Sequence, residues 1–318
     1  MGKNCIWREI LDCIFFVRLY KNLMIEDPNE SPPPARTEPF MESPENRTSN
    51  HARTPLGAIK GGIIVKAPKA ESLWAEIVVA INYLTRLNLK LSEEPTPSVI
   101  RRAVSWFPLV GAGIGLFAAC IDWIFTQAGL PGIITASFAV IGSLWLTRAL
   151  HEEEFASMAN RYSRTLEKSQ GVGWLREERS VQYGTLAVII IIIMKIGAIA
   201  SLSDSLIVLC ALVTAGSWSR AMMSVVSSWL RPIAEDPVAR YFQRTSPIRT
   251  IIALMIGIII ANLAFSTDAL YILSISGGIG LVVALLGANH LRGYNGSLLG
   301  TTQELVELSV LGVILAIQ

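Results

Sequence analysis

Apolar and polar positions along this chain alternate in long blocks. Apolar runs occupy roughly residues 103–127, 131–149, 184–203, 205–229, 250–266, 269–290 and 303–317. Several reach the ~20 residues that a helix needs to cross a hydrocarbon core ~30 Å thick. Lipid offers the backbone no hydrogen-bond partner, so such runs cross as helices. The joints between them alternate in character. Residues 126–132, 201–205 and 266–268 contain no Lys or Arg. The other joints carry Arg161, Arg164, Lys168, Arg176 and Arg179, then Arg231, Arg240, Arg244 and Arg249, then Arg292. Basic residues stay on the cytoplasmic side. The pattern therefore predicts an all-α, polytopic integral membrane bundle of about six or seven transmembrane helices. It is expected in the cell (inner) membrane, with the N-terminus and the basic working face in the cytoplasm.

Composition agrees. The chain has 318 residues, of which 52% are hydrophobic and 16% charged, with mean hydropathy +0.47. A soluble domain needs more surface charge. A net charge of +2 says nothing about nucleic acid, and without a basic run to support such binding none is expected as a partner. Cys5, Cys13, Cys120 and Cys210 have neither metal nor redox spacing. Residues 1–69 differ from the rest. The Pro-rich segment 31–34 and the Ser/Asn/Arg/Pro mix up to Pro55 predict a largely disordered extension before a membrane domain at 70–318. Within that extension, residues 5–24 are apolar but interrupted by Arg8, Glu9, Asp12 and Arg18. They read equally as an interfacial helix or as an extension without function. The stretch 70–90 places Trp74, Ile77, Val78, Ile81 and Leu84 on one helical stripe, expected at the cytoplasmic interface.

Two cations fall inside apolar runs. Lys195 lies about eleven residues past Gly184, roughly 16 Å deep at 1.5 Å per residue. Arg220 lies at a similar depth before Arg231 on the next helix. An ionisable group there costs at least ~2.5 kcal/mol and marks a functional site by default. Phosphate is the ligand that Arg and Lys together would grip. The alternative is a buried ion pair with Glu304 or Glu307, or snorkelling. The segment from His151 to Arg161 is the densest in chemistry. If helical, it puts Glu153, Ser157 and Asn160 at i, i+4 and i+7 on one face. Oxygen ligands on one face suit a hard cation such as Mg²⁺, while a run of Glu also suits a solvated helix start. The joint from Arg292 to Gly300 holds Gly293, Gly296 and Gly300 ahead of a helix carrying Glu304 and Glu307. Such a turn lets backbone N–H groups approach a phosphate.

Taken together, these segments resemble the cobalamin synthase family, adenosylcobinamide-GDP ribazoletransferase, over about residues 74–318. The stretch from Tyr83 to Arg86 is similar to the family's Phe-x-Thr-Arg, and that from Trp106 to Gly111 to its Phe-Pro-Leu-Val-Gly helix. The run from Ala149 to Glu152 resembles the start of its Ala-Leu-His-Glu-Asp-Gly-Leu-Ala-Asp-x-x-Asp-Gly signature. Residues 176–184 are similar to Arg-Asp-Ser-Arg-x-Gly-x-Tyr-Gly, and Lys195 and Ser219-Arg220 match a Lys and a Ser-Arg in the third and fourth helices. Residues 296–307 follow Gly-Asp-x-Leu-Gly-Ala and an acidic final helix.

The acidic positions depart from that pattern. The three Asp of the signature fall on Glu153, Ser157 and Asn160, and its two Gly on Glu154 and Arg161. The Asp of the second motif is Glu177, and that of the final Gly-Asp is Ser297. The resemblance implies that a ribose hydroxyl of α-ribazole, or of its 5′-phosphate, attacks the corrinoid-bound phosphorus of adenosylcobinamide-GDP. GMP leaves, and adenosylcobalamin or its phosphate forms. It implies Mg²⁺ as cofactor, held by Glu152, Glu153, Ser157, Asn160 and Glu177. Catalytic roles fall to Glu153, Lys195 and Arg220. Substrate-binding roles fall to Arg176, Arg179, Ser219, Gly296, Ser297, Gly300, Glu304 and Glu307. The expected partners are the two substrates and the lipid bilayer, with a homo-oligomer left open. Two rivals stand beside this reading: an inactive or repurposed homologue that binds corrinoid or partner proteins, and a small anion transporter.

Overall fold

The computed structural model describes residues 72–91, 94–167 and 177–318, and the side chains of all of these except 164–167 and 177–182. The extension read at 1–69 lies outside the described residues. So do Arg176 and the side chains of Glu177 and Arg179.

The described residues form helices in the order α1 (Leu73–Leu84), α2 (Pro97–Ala103), α3 (Phe107–Gln127), α4 (Gly132–Thr147), α5 (Leu150–Glu167) and α6 (Glu177–Ala200), followed by α7 (Ser205–Trp229), α8 (Pro237–Phe242), α9 (Pro247–Phe265), α10 (Ala269–Leu291) and α11 (Gly296–Ile317). Among them the one non-helical pairing is an isolated bridge between Pro232 and Tyr294. The chain is an all-α, multi-pass membrane bundle. Five helical stretches are long and apolar enough to cross, or six if the bent α4–α5 pair forms one span.

One of those stretches, Pro247–Leu291, has 45 residues. Straight, it would run ~68 Å, more than twice a bilayer core. It folds back instead. A Cβ built on Gly257 of α9 would lie 3.0 Å from the Trp218 ring, and one built on Gly277 of α10 would lie 3.2 Å from the same ring. The reversal falls at the 3₁₀ turn Ser266–Asp268, where Ser266 takes φ 46°. The expected joint at 266–268 is thus real.

The run 131–149, expected as one crossing, breaks. Arg148 and Ala149 both adopt positive φ, 58° and 52°, which a helix cannot continue through. The axis turns by 88° from α4 to α5. The interfacial helix expected over 70–90 ends at Leu84. Beyond it, the Asn82 side chain grips both backbone groups of Leu89 at 2.8 Å and holds the chain extended. Val78 and Leu84 are buried as the stripe requires, but Trp74 stays exposed. Glu76, on the same buried face, is 2% exposed and gathers Arg102, Trp106 and Arg249 at 2.7–3.0 Å.

The backbones of α3 and α7 meet directly. A Cβ on Gly111 would overlap the carbonyl oxygen of Gly216, and one on Gly115 that of Leu212. Two glycines four apart bring the backbones together, the small-xxx-small geometry of membrane helices. The same gap at Gly111 admits the Arg220 side chain, whose Cδ a Cβ there would meet at 2.5 Å.

Two apolar clusters result. One holds Phe107, Val110, Met223, Val226, Leu298 and Leu299. The other holds Ala118, Leu212, Trp218, Val306, Val310 and Leu311. Along α11, Gln303 and Glu304 fall between the two sets, and along α7 Arg220 falls near their boundary. Gly111→Val is expected to lower the thermal unfolding midpoint in detergent, at a cost of at least ~1–3 kcal/mol from overpacking. Gly113→Ala, where a Cβ meets nothing within 4 Å, is expected to leave the midpoint unchanged.

Candidate active site

The two intramembrane cations meet. Lys195 on α6 is 6% exposed, and its Nζ lies 2.8 Å from Glu304, 3.1 Å from Glu307 and 3.8 Å from Glu152. Arg220 on α7 is 3% exposed, and its Nη1 lies 3.2 Å from Glu307 Oε2 and 3.0 Å from the Gly216 carbonyl. Helix periodicity brings them together. Gln303, Glu304 and Glu307 recur at i, i+1 and i+4 on α11, so one stripe of that helix is polar inside an apolar run. The break at 148–149 then delivers α5 across the end of the bundle, which turns Glu152 inward toward Lys195. Gln303 donates to Glu307 Oε2 and lies 3.5 Å from the Ser219 hydroxyl. Ser219 in turn donates to the Gly216 carbonyl at 3.3 Å.

Several polar atoms here are buried without a protein hydrogen-bond partner: His151 Nε2, Glu152 Oε2, Arg220 Nε and Gln303 Oε1. Most buried polar groups are paired, and these four leave hydrogen-bonding capacity on α5, α7 and α11 unused. His151 is held from its other side, with Nδ1 3.2 Å from Glu154 Oε2.

A second group of sequence-predicted residues lines the turn before α11. Gly296, Ser297 and Gly300 belong to the first turns of α11 itself, capped by the Asn295 side chain accepting from Leu298 N at 3.0 Å. The expected glycine turn is therefore shorter, ending at Asn295. Glu154 packs where Gly300 has no side chain, for a Cβ there would overlap the Glu154 carboxylate. Asp236 Oδ1 accepts from Gly296 N at 3.3 Å and from Ala239 N at 2.8 Å. In that turn, burial and the nearby Asp236 push the Tyr294 phenol above its ordinary value.

Of the five residues expected to hold Mg²⁺, the four whose side chains are described (Glu152, Glu153, Ser157 and Asn160) do not converge. Segment 151–161 is helical as read, and Glu153, Ser157 and Asn160 share a face. Glu153 and Ser157 are exposed, with the Ser157 hydroxyl 3.1 Å from that of Ser297. Asn160 Oδ1 instead accepts from Gly184 N at 2.6 Å and ties α5 to α6. Glu152 points the other way, to Lys195. Among the described residues, no group of three or more His, Cys, Asp or Glu is arranged to hold a metal ion. The four described members of the set do not form a common cation site.

Reading the sequence missed Gln303, Glu76 and Asp236. Gln303 carried a signal, as a polar residue four before Glu307 in an apolar helix. Glu76 carried one too, as an acid on the buried face of an amphipathic stripe.

Removing one partner of a buried pair leaves an uncompensated charge, at ~3–5 kcal/mol. Lys195→Met is expected to lose stability of that order, measured by thermal unfolding in detergent. Adding Glu304→Leu is expected to restore part of it.

The chain matches the family described as Cobalamin-5-phosphate synthase over residues 76–315. Two proteins named adenosylcobinamide-GDP ribazoletransferase are similar to it. The one from Bradyrhizobium diazoefficiens is 26% identical over 248 residues, 77% of this chain and 94% of its own length. The one from Shewanella baltica (strain OS185) is 23% identical over 245 residues, 76% of this chain and 93% of its own. No solved structure matches. A match across the whole membrane domain, with Lys195, Arg220 and the acidic stripe of α11 inside it, makes this chain a member of the cobalamin-5-phosphate synthase family.

Proposed function

We propose that this protein is an adenosylcobinamide-GDP ribazoletransferase of the inner membrane, joining adenosylcobinamide-GDP to α-ribazole or its 5′-phosphate. The observation that supports this best is the convergence of Lys195 and Arg220 in the membrane interior, on a stripe of α11 within the family match.

The ribose hydroxyl forms a bond to the corrinoid-bound phosphorus while the bond from that phosphorus to GMP breaks. Little covalent chemistry is left to the protein, so catalysis is positioning plus charge stabilisation. Lys195 and Arg220 neutralise the phosphate oxygens, and Ser219 adds a hydroxyl beside them. Glu304 and Glu307 hold the two cations at depth before substrate arrives. Arg176 and Arg179 are assigned the outer phosphate by the resemblance of residues 176–184 to the family's second motif. Gly296, Ser297 and Gly300 stand beside Glu154 at the start of α11, where the resemblance places substrate. Glu153 faces outward on α5, as the carboxylate open to an incoming substrate. The basic joints favour the cytoplasm for this face.

A non-catalytic homologue is the rival reading. It is favoured by Asn160, whose oxygen is committed to Gly184 N, and by Glu154, which fills the space over Gly300.

The test is turnover by the detergent-purified protein, with both substrates, beside an authentic ribazoletransferase and with Mg²⁺ or a chelator present. GMP and adenosylcobalamin are expected to form, and Arg220→Gln is expected to lower kcat by at least ~10²-fold, the cost of losing one preorganised charge donor. Glu153→Gln with unaltered Mg²⁺ dependence removes Glu153 from any metal site. Absence of product where the control works sinks the transferase reading.

A further inference from the structure

Glu307 holds the position that a phosphate would take. Its two oxygens divide between the cations, Oε1 at 3.1 Å from Lys195 Nζ and Oε2 at 3.2 Å from Arg220 Nη1. Gln303 donates to the same Oε2. Three helix-borne groups (Lys195, Arg220 and Gln303) thus point donors toward one oxyanion, and behind them the Ser219 hydroxyl accepts from Arg220 and Gln303. The grip is incomplete. A guanidinium presents parallel N–H groups that match an oxyanion two at a time, yet Arg220 Nε is buried with no protein partner. Glu307 is also the most exposed member of the network, its side chain at 18% against 1% for Glu304. It lines a cavity of about 30 Å³ together with Lys195, Arg220 and Gly216, room for about one water. A phosphate is larger than that, so it enters this site only when the Glu307 carboxylate leaves.

We propose that Glu307 is the built-in occupant of an oxyanion site formed by Arg220, Lys195 and Gln303, and that a phosphate-type oxyanion displaces it. The proposal rests on Lys195 and Arg220 being phosphate-binding cations. It adds that the unliganded site is closed by the protein's own carboxylate, and that Arg220 Nε is the donor reserved for the incoming oxygen. Glu304 and Glu152 stay with Lys195, so the cation retains partners when Glu307 moves.

The experiment is calorimetric titration of the detergent-solubilised protein with inorganic pyrophosphate and, separately, with a short-chain phosphatidic acid. Glu307→Gln is expected to bind the oxyanion at least ~10-fold more tightly than the unaltered protein, in line with freeing one charge-assisted bond. Glu307→Gln combined with Arg220→Gln is expected to lose that gain. Tightening with pyrophosphate alone identifies a soluble phosphate ligand, and tightening with phosphatidic acid alone identifies a lipid headgroup; either supports the oxyanion site. Equal binding by the unaltered protein and Glu307→Gln, or a gain that survives removal of Arg220, overturns it. Should Glu307→Gln fail to fold, Glu307→Asp, whose carboxylate falls short of both cations, is expected to tighten binding, and unchanged binding there overturns the proposal. A gain in oxyanion affinity without turnover sinks the transferase reading alone. Turnover without that gain sinks the displacement alone.

Discussion

Two full positive charges sit in the interior of helices that cross a bilayer, and much of the rest of the structure follows from making that tolerable. Lys195 and Arg220 are each nearly inaccessible. With so little access to solvent, each needs carboxylates or carbonyls at hydrogen-bond distance. α11 supplies Glu304 and Glu307, with Gln303 donating to Glu307, and the Gly216 carbonyl supplies the backbone acceptor. Arg220 reaches that carbonyl because Gly111 leaves space beside it on α3. The glycine contact that brings two helices together and the polar cluster that handles charge are therefore one construction.

The same constraint explains the bend after α4. An acidic segment cannot continue down a membrane-crossing helix, and the positive φ values at Arg148 and Ala149 turn it across the end of the bundle. Glu152 then faces Lys195, His151 is buried beside it, and Glu153 faces outward. Adjacent glutamates of one run meet opposite surroundings because successive helical residues lie about 100° apart. Glu154 adds a local link. It packs over Gly300 and carries the His151 ring, so it joins the start of α5 to the start of α11.

Much of this was legible from the residues. Block hydropathy located the crossing helices, because lipid demands long apolar runs whatever the tertiary contacts. The depth of Lys195 and Arg220 followed from counting residues along their helices, and so did Glu304 and Glu307 as their candidate partners. The 3.6-residue period put Glu153, Ser157 and Asn160 on a common face of α5. What stayed hidden depends on contacts between distant segments. Asn160 satisfies Gly184 N rather than a cation, and no pattern within α5 shows that α6 passes there. The break at 148–149 lies inside an apolar run with neither Gly nor Pro to mark it. Glu154 stands where the family signature has Gly, and only the absence of a side chain at Gly300, far along the chain, shows where its carboxylate goes.

The most direct measurement is an experimental structure of the protein with adenosylcobinamide-GDP bound, read at one place, the surroundings of the Arg220 guanidinium. A phosphate oxygen within hydrogen-bond distance of Arg220, with Lys195 beside the same phosphate, is the result expected if this cluster is the phosphoryl-transfer site. A substrate whose phosphates lie along the exposed face of α5, with the Lys195–Glu307–Arg220 contacts unchanged, would contradict it and leave the cluster as a structural ion network alone.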